Sequence, residues 1–278
     1  MSKKKGWLLL GLLALCAAAF AGYIYMGRQQ DNSAPEISFQ SEELQVSVTA
    51  DDAALLEDVT AWDEQDGDVT SSIVVERVCN ISSDQQATVT YAAFDQAGNV
   101  AKAQRTLLYT DYQSPRFSLS QPLVFSSNRT ADVMNFISAT DAIDGSLDDR
   151  IKASLVGGGG DLTDVGTHEV EFRVTNSMGE TIYLTTPVEI YPDGLYNASI
   201  QLTQNIVYLQ QGAAFTPESY LLELASGSQT ITINNTWGVT VQTSSDVNTQ
   251  VPGCYSVAYT VTSGTMTGHT RLAVVVEE

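Results

Sequence analysis

The chain has 278 residues, of which 33 are Asp or Glu and 13 are Lys or Arg, giving a formal net charge of −20. Four of these cations precede the first acidic residue, so residues 29–278 carry 9 − 33 = −24. Because nucleic acid is bound by clustered cations, this excess of acidic residues argues against a nucleic-acid partner.

The N-terminus combines Lys3, Lys4 and Lys5 with an uncharged, mostly apolar run from Gly6 to Met26. This run has 21 residues, and a membrane-spanning helix needs about 20. Lysines flanking a span remain on the cytoplasmic side. We therefore predict a transmembrane signal-anchor within residues 1–30, crossing the cell membrane once through residues 6–26, with the N-terminus in the cytoplasm and the C-terminus outside.

Cleavage of this segment is the alternative, because the "AFA" ending at Ala21 fits a small-x-small signal peptidase site and would release a secreted protein. The apolar run continues past that site to Met26, and Trp7 lies where interfacial aromatic residues are expected, which favours retention. Cys16 in "LALC" resembles a lipidated cysteine, but Leu15 stands where that motif has a small residue.

The first exported segment contains an acidic step, "TAWDEQDGDVTSSI", from Thr60 to Ile73. Asp63, Asp66 and Asp68 offer hard oxygen ligands within one loop, as calcium prefers. The spacing differs from the EF-hand template, however, and aspartates followed by glycine also form turns in which they bond their own backbone. We predict such a turn, and calcium at these three aspartates stays as the alternative; no other cofactor is expected.

A second copy of the acidic step, "SATDAIDGSLDDRI", occurs at a constant offset of 78 residues. The offset aligns Asp63 with Asp141 and Gly67 with Gly145. A structural step can survive duplication without any ligand, so the recurrence favours the turn interpretation.

Each acidic step is followed by a segment with period-two alternation, which is typical of a strand with one buried face, and a third such segment occurs without an acidic step. The three segments are "TVTYAAF", "HEVEFRV" and "YSVAYTV". Their predicted inward residues are Val89, Tyr91, Ala93, Val170, Phe172, Val174, Tyr255, Val257, Tyr259 and Val261. A turn rich in residues that tolerate positive φ and a closing strand follow each segment, so each of the three units is predicted to end in a β-hairpin.

The openings "APEISF", "SPRFSL" and "NASIQL" divide the exported part into residues 31–111, 112–193 and 194–278. Each module has about 80 residues, which is room for seven short strands in an antiparallel sandwich. The predicted fold class is all-β: tandem antiparallel β-sandwiches after one N-terminal transmembrane helix. Short helical turns are expected only within residues 51–58 and 216–224.

The order of an "A-x-D-x-x-D-G" step, a "G-x-Y/H-x-V-x-Y/F" strand and a "D-x-x-G-N" turn resembles the bacterial immunoglobulin-like surface repeats, including hyalin-repeat-like modules. The resemblance covers nearly the whole exported part and implies three immunoglobulin-like domains on a bacterial cell surface. It is strongest in the first module. The second module has Glu180 in place of the asparagine, and the third lacks the acidic step.

No conventional catalytic constellation is complete, so we predict no catalytic residues. His168 and His269 lie in different modules, and a Ser-His-Asp site would have to form across a module boundary. Trp62 and Trp237 are predicted to be core residues, as is common in sandwiches, with sugar stacking as the alternative. Cys79 and Cys254 are predicted to be free, buried thiols.

These observations predict a membrane-anchored, non-catalytic surface protein that acts as a stalk, an adhesion module or an assembly module. Its partner would be a surface protein or a glycan. The alternative is carbohydrate binding by the divergent third module, and a cell-envelope enzyme is the third hypothesis.

Overall fold

The computed structural model describes residues 11–22, 31–82, 84–157, 162–233 and 236–278. The chain forms two compact units, Met1–Asp111 and Tyr112–Glu278. Residues 11–22 form a helix, α1, and the predicted span at residues 6–26 extends beyond the described residues on both sides. Within the described ranges, no helix has both the length and the apolar character needed to cross a membrane.

The first unit is built from two sheets. A three-stranded sheet has the order β1-β3-β4 and a four-stranded sheet the order β2-β7-β6-β5. The edge strand β2 pairs in parallel with β7, and the other pairings are antiparallel. The strands are β1 (Glu36–Phe39), β2 (Glu43–Val46), β3 (Val59–Asp63), β4 (Gly67–Asp68), β5 (Val74–Cys79), β6 (Gln86–Phe94) and β7 (Val100–Tyr109).

A single helical turn, α2 (Asp52–Leu55), joins the two sheets of this unit. The Asp51 side chain caps it by accepting a hydrogen bond from the Ala54 N–H, which satisfies one of the free donors at a helix start. The Tyr91 hydroxyl of β6 donates to the Leu55 carbonyl at 2.6 Å, and the Tyr91 ring packs 5.6 Å from that of Phe39 in β1. One core therefore lies between the two sheets.

The second unit begins with the same arrangement, in sheets of order β8-β10-β11 and β9-β14-β13-β12. Phe172 and Val174 of β13 are fully buried between them, as is Val170 at 1% exposure, so the predicted inward face of this strand is correct. The strands are β8 (Arg116–Leu119), β9 (Val124–Ser126), β10 (Ile137–Asp141), β11 (Gly145–Ser146), β12 (Lys152–Leu155), β13 (Gly166–Thr175) and β14 (Thr181–Tyr191).

The remainder of this unit repeats the order once more, as β15-β17-β18 and β16-β21-β20-β19. Val257, Tyr259 and Val261 of β20 have no exposed surface, whereas Tyr255 is only half-buried. The strands are β15 (Ser199–Leu202), β16 (Ile206–Gln210), β17 (Leu221–Ser226), β18 (Gln229–Thr232), β19 (Val239–Ser245), β20 (Gly253–Ser263) and β21 (Met266–Glu277). The prediction of an all-β chain is confirmed.

The two sandwiches of the second unit are interlocked, which means that they pack directly against each other and share core contacts. Ala273 of β21 belongs to the core cluster of the preceding sandwich. The Tyr208 hydroxyl accepts from the Phe117 N–H at 2.8 Å and lies 3.0 Å from the Phe117 carbonyl. Arg116 forms a two-pronged ion pair with Glu277, at 2.6 and 3.2 Å. Apolar burial and directional contacts thus fix these two sandwiches as one body.

Candidate functional site

The acidic step of the first unit forms the predicted turn between β3 and β4. Asp63 Oδ1 accepts hydrogen bonds from the backbone N–H groups of Gln65 and Asp66, at 2.8 and 2.9 Å. Gly67 has φ +76°, a left-handed conformation that glycine adopts without steric cost. The loop is therefore an Asx-type turn, as predicted from the sequence.

Three carboxylates converge beside this turn. Asp31, Asp63 and Asp66 each place one oxygen within 4.8 Å of the others. Asp68, the third predicted ligand, is not in this group: it is exposed and its Oδ1 accepts from the Thr70 N–H at 2.9 Å. Hydrogen bonds from the side chain and the backbone N–H of Thr70 lower the pKa of Asp68.

Asp31 is the member of the site that the sequence analysis missed. It lies 32 residues before Asp63 and belongs to no repeated motif. Strands β1 and β3 pair antiparallel with Glu36 opposite Trp62. This pairing places the residues before β1, among them Asp31, beside the end of β3. Nothing in the sequence distinguishes Asp31 from other polar residues near the start of a module, so only the pairing of strands identifies it.

The turn after β6 borders the same site. The Asn99 side-chain amide donates to the Asp31 carbonyl at 3.2 Å and to Asp95 Oδ2 at 2.6 Å. The Gln96 N–H donates to Asp66 Oδ2 at 2.7 Å. Burial acts to raise the pKa of Asp95, but its hydrogen bonds from Asn99 and neighbouring N–H groups outweigh this effect and lower it. Asp95 therefore contributes a further negative charge at the edge of the three-carboxylate cluster.

The second acidic step folds into the same turn in the second unit. Asp141 Oδ1 accepts from the N–H groups of Ile143 and Asp144, at 3.1 and 2.6 Å. Asp141 Oδ2 is satisfied here, because the Asn176 side-chain amide donates to it at 3.0 Å. The same amide lies 2.9 Å from the Tyr112 hydroxyl, which in turn bonds the Glu180 carboxylate. This site is a closed hydrogen-bond network.

A second polar cluster joins the two sandwiches of the second unit. Glu189 Oε2 lies 3.0 Å from His269 Nε2 and 2.6 Å from Arg271 Nε, and Thr260 Oγ1 lies 3.0 Å from His269 Nδ1. This hydroxyl–imidazole–carboxylate chain crosses the predicted module boundary. The Tyr196 ring stacks on the imidazole with centroids 5.1 Å apart, and Arg271 shares the carboxylate, so the cluster has the contacts of a structural ion pair.

Glu189 gives this cluster a pH dependence. Burial acts to raise the pKa of Glu189, but the hydrogen bonds and charges of His269 and Arg271 lower it from 4.5 to about 2. Because the folded-state pKa is lowered, the ionised group stabilises the unit above pH 4.5, and this stabilisation is lost as the pH falls from 4.5 to 2. We expect Glu189→Gln to cost about 3 kcal/mol at pH 7, because each unit by which the pKa is lowered corresponds to about 1.36 kcal/mol.

The measurement is denaturant unfolding of Glu189→Gln and of the unchanged chain from pH 7 to pH 2.5. Glu169→Gln, at an exposed position of β13, is the matched control and should change the unfolding free energy little at any pH. A cost for Glu189→Gln that is as large at pH 2.5 as at pH 7 would contradict the assignment.

The two tryptophans singled out in the sequence are not core residues. Trp62 is 64% exposed and Trp237 is 97% exposed, so the core prediction is wrong for both. Trp62 lies on the outer face of β3, where Val59, Ala61 and Asp63 take the inward positions. Trp237 stands in the turn between β18 and β19, outside either sheet. Cys79 and Cys254 are free, as predicted, but the prediction that they are buried is wrong, because both are only half-buried.

No family model matches the chain. An uncharacterized 81.3 kDa protein of Acholeplasma phage L2 is 30% identical over 179 residues, which are 62% of this chain and 22% of that protein. The chain thus spans about a fifth of the length of the curated relative it matches.

Two solved structures are among those to which the chain was found to be similar. One contains CBM51-2 in complex with GlcNAc and the INT domains of Clostridium perfringens ZmpB; it is 13% identical, with 87% of this chain and 42% of that chain covered and a TM-score of 0.23. The other is mouse Cadherin-23 EC22-24, 14% identical, with 88% and 99% covered and a TM-score of 0.21.

Proposed function

We propose that this chain is a membrane-anchored, non-catalytic surface protein whose immunoglobulin-like sandwiches act as a stalk and as an adhesion or assembly module. The interlocked second unit is the observation that carries the proposal. Ala273 buried in the neighbouring core and the Arg116–Glu277 ion pair join two sandwiches without a flexible linker. A rigid body of this kind suits a spacer that holds a binding surface away from a membrane.

The anchor in this proposal is residues 6–26, on the basis of their composition and the flanking lysines. The acidic exported part carries a net negative charge, so that separate copies of the chain repel one another and stay soluble. Open edge strands, such as β19 with its run of Thr, Gln and Ser, offer backbone groups to a partner strand. The expected partner is a surface protein.

Membrane fractionation combined with protease treatment of intact cells tests this proposal. We expect the full chain in the membrane fraction and digestion of its exported part by protease added outside. A variant lacking residues 1–30 should leave the membrane fraction, and cross-linking on intact cells should capture a surface partner. An intact, protease-resistant chain in the cytosol would overturn the proposal.

Carbohydrate binding is the second candidate, and the exposed indole of Trp237 favours it. A side chain of this size that is 97% exposed is available to stack on a sugar ring. Glycan-array binding of the full chain should then be lost in Trp237→Ala and retained in Trp62→Ala, the matched control in the other unit. Binding that survives Trp237→Ala would exclude stacking by this residue.

A further inference from the structure

We propose that Asp31, Asp63 and Asp66 of the first unit bind Ca²⁺. Each supplies one carboxylate oxygen, and the three oxygens lie within 4.8 Å of one another. The group contains neither His nor Cys, and an all-oxygen, anionic set suits a hard divalent cation rather than zinc or copper. The proposal rests on side chains of the first unit and is independent of the anchor and of any surface partner.

Two oxygens of the group are buried without a hydrogen-bond donor. Asp63 is 1% exposed, and among the described residues neither Asp63 Oδ2 nor Asp31 Oδ2 has a partner. A buried carboxylate without a donor carries a desolvation cost that nothing offsets, and neighbouring carboxylates repel one another more strongly away from water. A divalent cation between the three oxygens would remove both costs at once.

The turn does not account for these oxygens. The two N–H groups that close it, those of Gln65 and Asp66, both bond Asp63 Oδ1. In Asp31 it is likewise Oδ1 that accepts, from the N–H and hydroxyl of Ser33 at 3.0 and 2.6 Å. The neighbouring residues thus bond one oxygen of each side chain and leave the other buried without a hydrogen-bond donor.

The second unit shows the same turn without a cation requirement. There the Asn176 amide donates to Asp141 Oδ2, the counterpart of the unpartnered Asp63 Oδ2. Asn176 opens the turn after its strand, where its Oδ1 accepts from the Glu180 N–H at 2.9 Å. Asp95 holds that position in the first unit, and its Oδ1 accepts from the Asn99 N–H at 2.7 Å.

At this position the first unit has an acceptor where the second has a donor. An asparagine amide can donate to the buried aspartate, whereas the carboxylate of Asp95 can only accept. Asp63 Oδ2 therefore lacks the donor that Asp141 Oδ2 has in the second unit. Three carboxylates leave coordination positions for water, and Ca²⁺ sites of extracellular modules have dissociation constants of about 0.1–1 mM.

The test measures cation binding to the purified full-length chain by calorimetric titration with Ca²⁺ and with Mg²⁺. Terbium luminescence sensitised by Trp62, which precedes Asp63, gives a local readout. We expect Ca²⁺ to bind and to raise the unfolding temperature of the first unit, with the increase reversed by chelator. No Ca²⁺-dependent signal at millimolar concentration, or stabilisation by Mg²⁺ alone, would overturn the proposal.

Asp63→Asn separates metal binding from the turn. Its side-chain carbonyl can keep both turn hydrogen bonds, while its amide offers a donor to the other two carboxylates. We expect at least a tenfold loss of Ca²⁺ affinity together with a higher unfolding temperature without Ca²⁺. Unchanged affinity in this variant would overturn the proposal. Asp66→Asn is the replacement variant if Asp63→Asn fails to fold, and unchanged affinity in it would also overturn the proposal. Asp141→Asn in the second unit is the matched control and should bind Ca²⁺ as the unchanged chain does.

Discussion

Ala273→Asp is expected to destabilise the second unit by about 3–5 kcal/mol, the cost typical of an uncompensated buried charge. Ala273 is 4% exposed and lies in strand β21 of the last sandwich, yet it packs in the core of the preceding one. Its backbone N–H donates to the Asn205 carbonyl at 3.2 Å, so the strand cannot shift to carry a carboxylate to water without breaking that bond.

Chemical denaturation followed by fluorescence and circular dichroism measures this effect. In the unchanged chain we expect one cooperative transition for the second unit, because its two sandwiches share core residues. The substitution should lower the midpoint and uncouple the two sandwiches into separate transitions. Ala214→Asp, at an exposed position of the same sandwich, is the control and should change the free energy of unfolding by less than about 0.5 kcal/mol. Equal behaviour of the two variants would contradict the interlocked core.

Phe172→Ala is the second substitution with a large expected effect, a loss of about 3–5 kcal/mol in the free energy of unfolding. The Phe172 side chain is completely buried, and its strand is paired on both sides, with Ala153 and Leu184 opposite it. Removal of the ring leaves a cavity that the two flanking strands hold open. The free-energy cost of this cavity adds to the transfer free energy lost with the ring.

The neighbouring position provides the control for this prediction. Arg173 follows Phe172 in β13 and points to solvent, so Arg173→Ala should cost less than about 0.5 kcal/mol. Denaturant midpoints of the two variants, measured with equal m-values, give the comparison. A cost for Phe172→Ala below about 1 kcal/mol would mean that the core relaxes into the cavity or that the strand has another register.

The inward faces of the hairpin strands could be read from the sequence. Period-two alternation identified Val89 and Tyr91, Phe172 and Tyr259 as core residues, and all four are fully buried. A strand presents alternate residues to alternate faces, so a local pattern is enough. The repeated acidic step likewise indicated an Asx turn, because its hydrogen bonds connect residues two and three positions apart.

The tryptophans show where the same reasoning fails. Trp62 lies next to Asp63 in β3, and the two residues point to opposite faces of the strand. The frequency of core tryptophans in sandwiches favoured the indole as the buried residue, but Asp63 takes the inward position in β3. Residue type alone does not give the phase of a strand, whereas a one-residue change in register exchanges its faces.

What the sequence determined by itself is therefore local: the alternating strands, the hairpins, the Asx turns and the all-β class, each set by interactions between residues close along the chain. Tertiary structure alone decided that Asp31 joins Asp63 and Asp66, and that Ala273 packs in the core of the neighbouring sandwich. Both contacts link residues that are distant in the chain and carry no shared motif. They depend on strand pairing and packing, which bring together side chains whose separation no local pattern encodes.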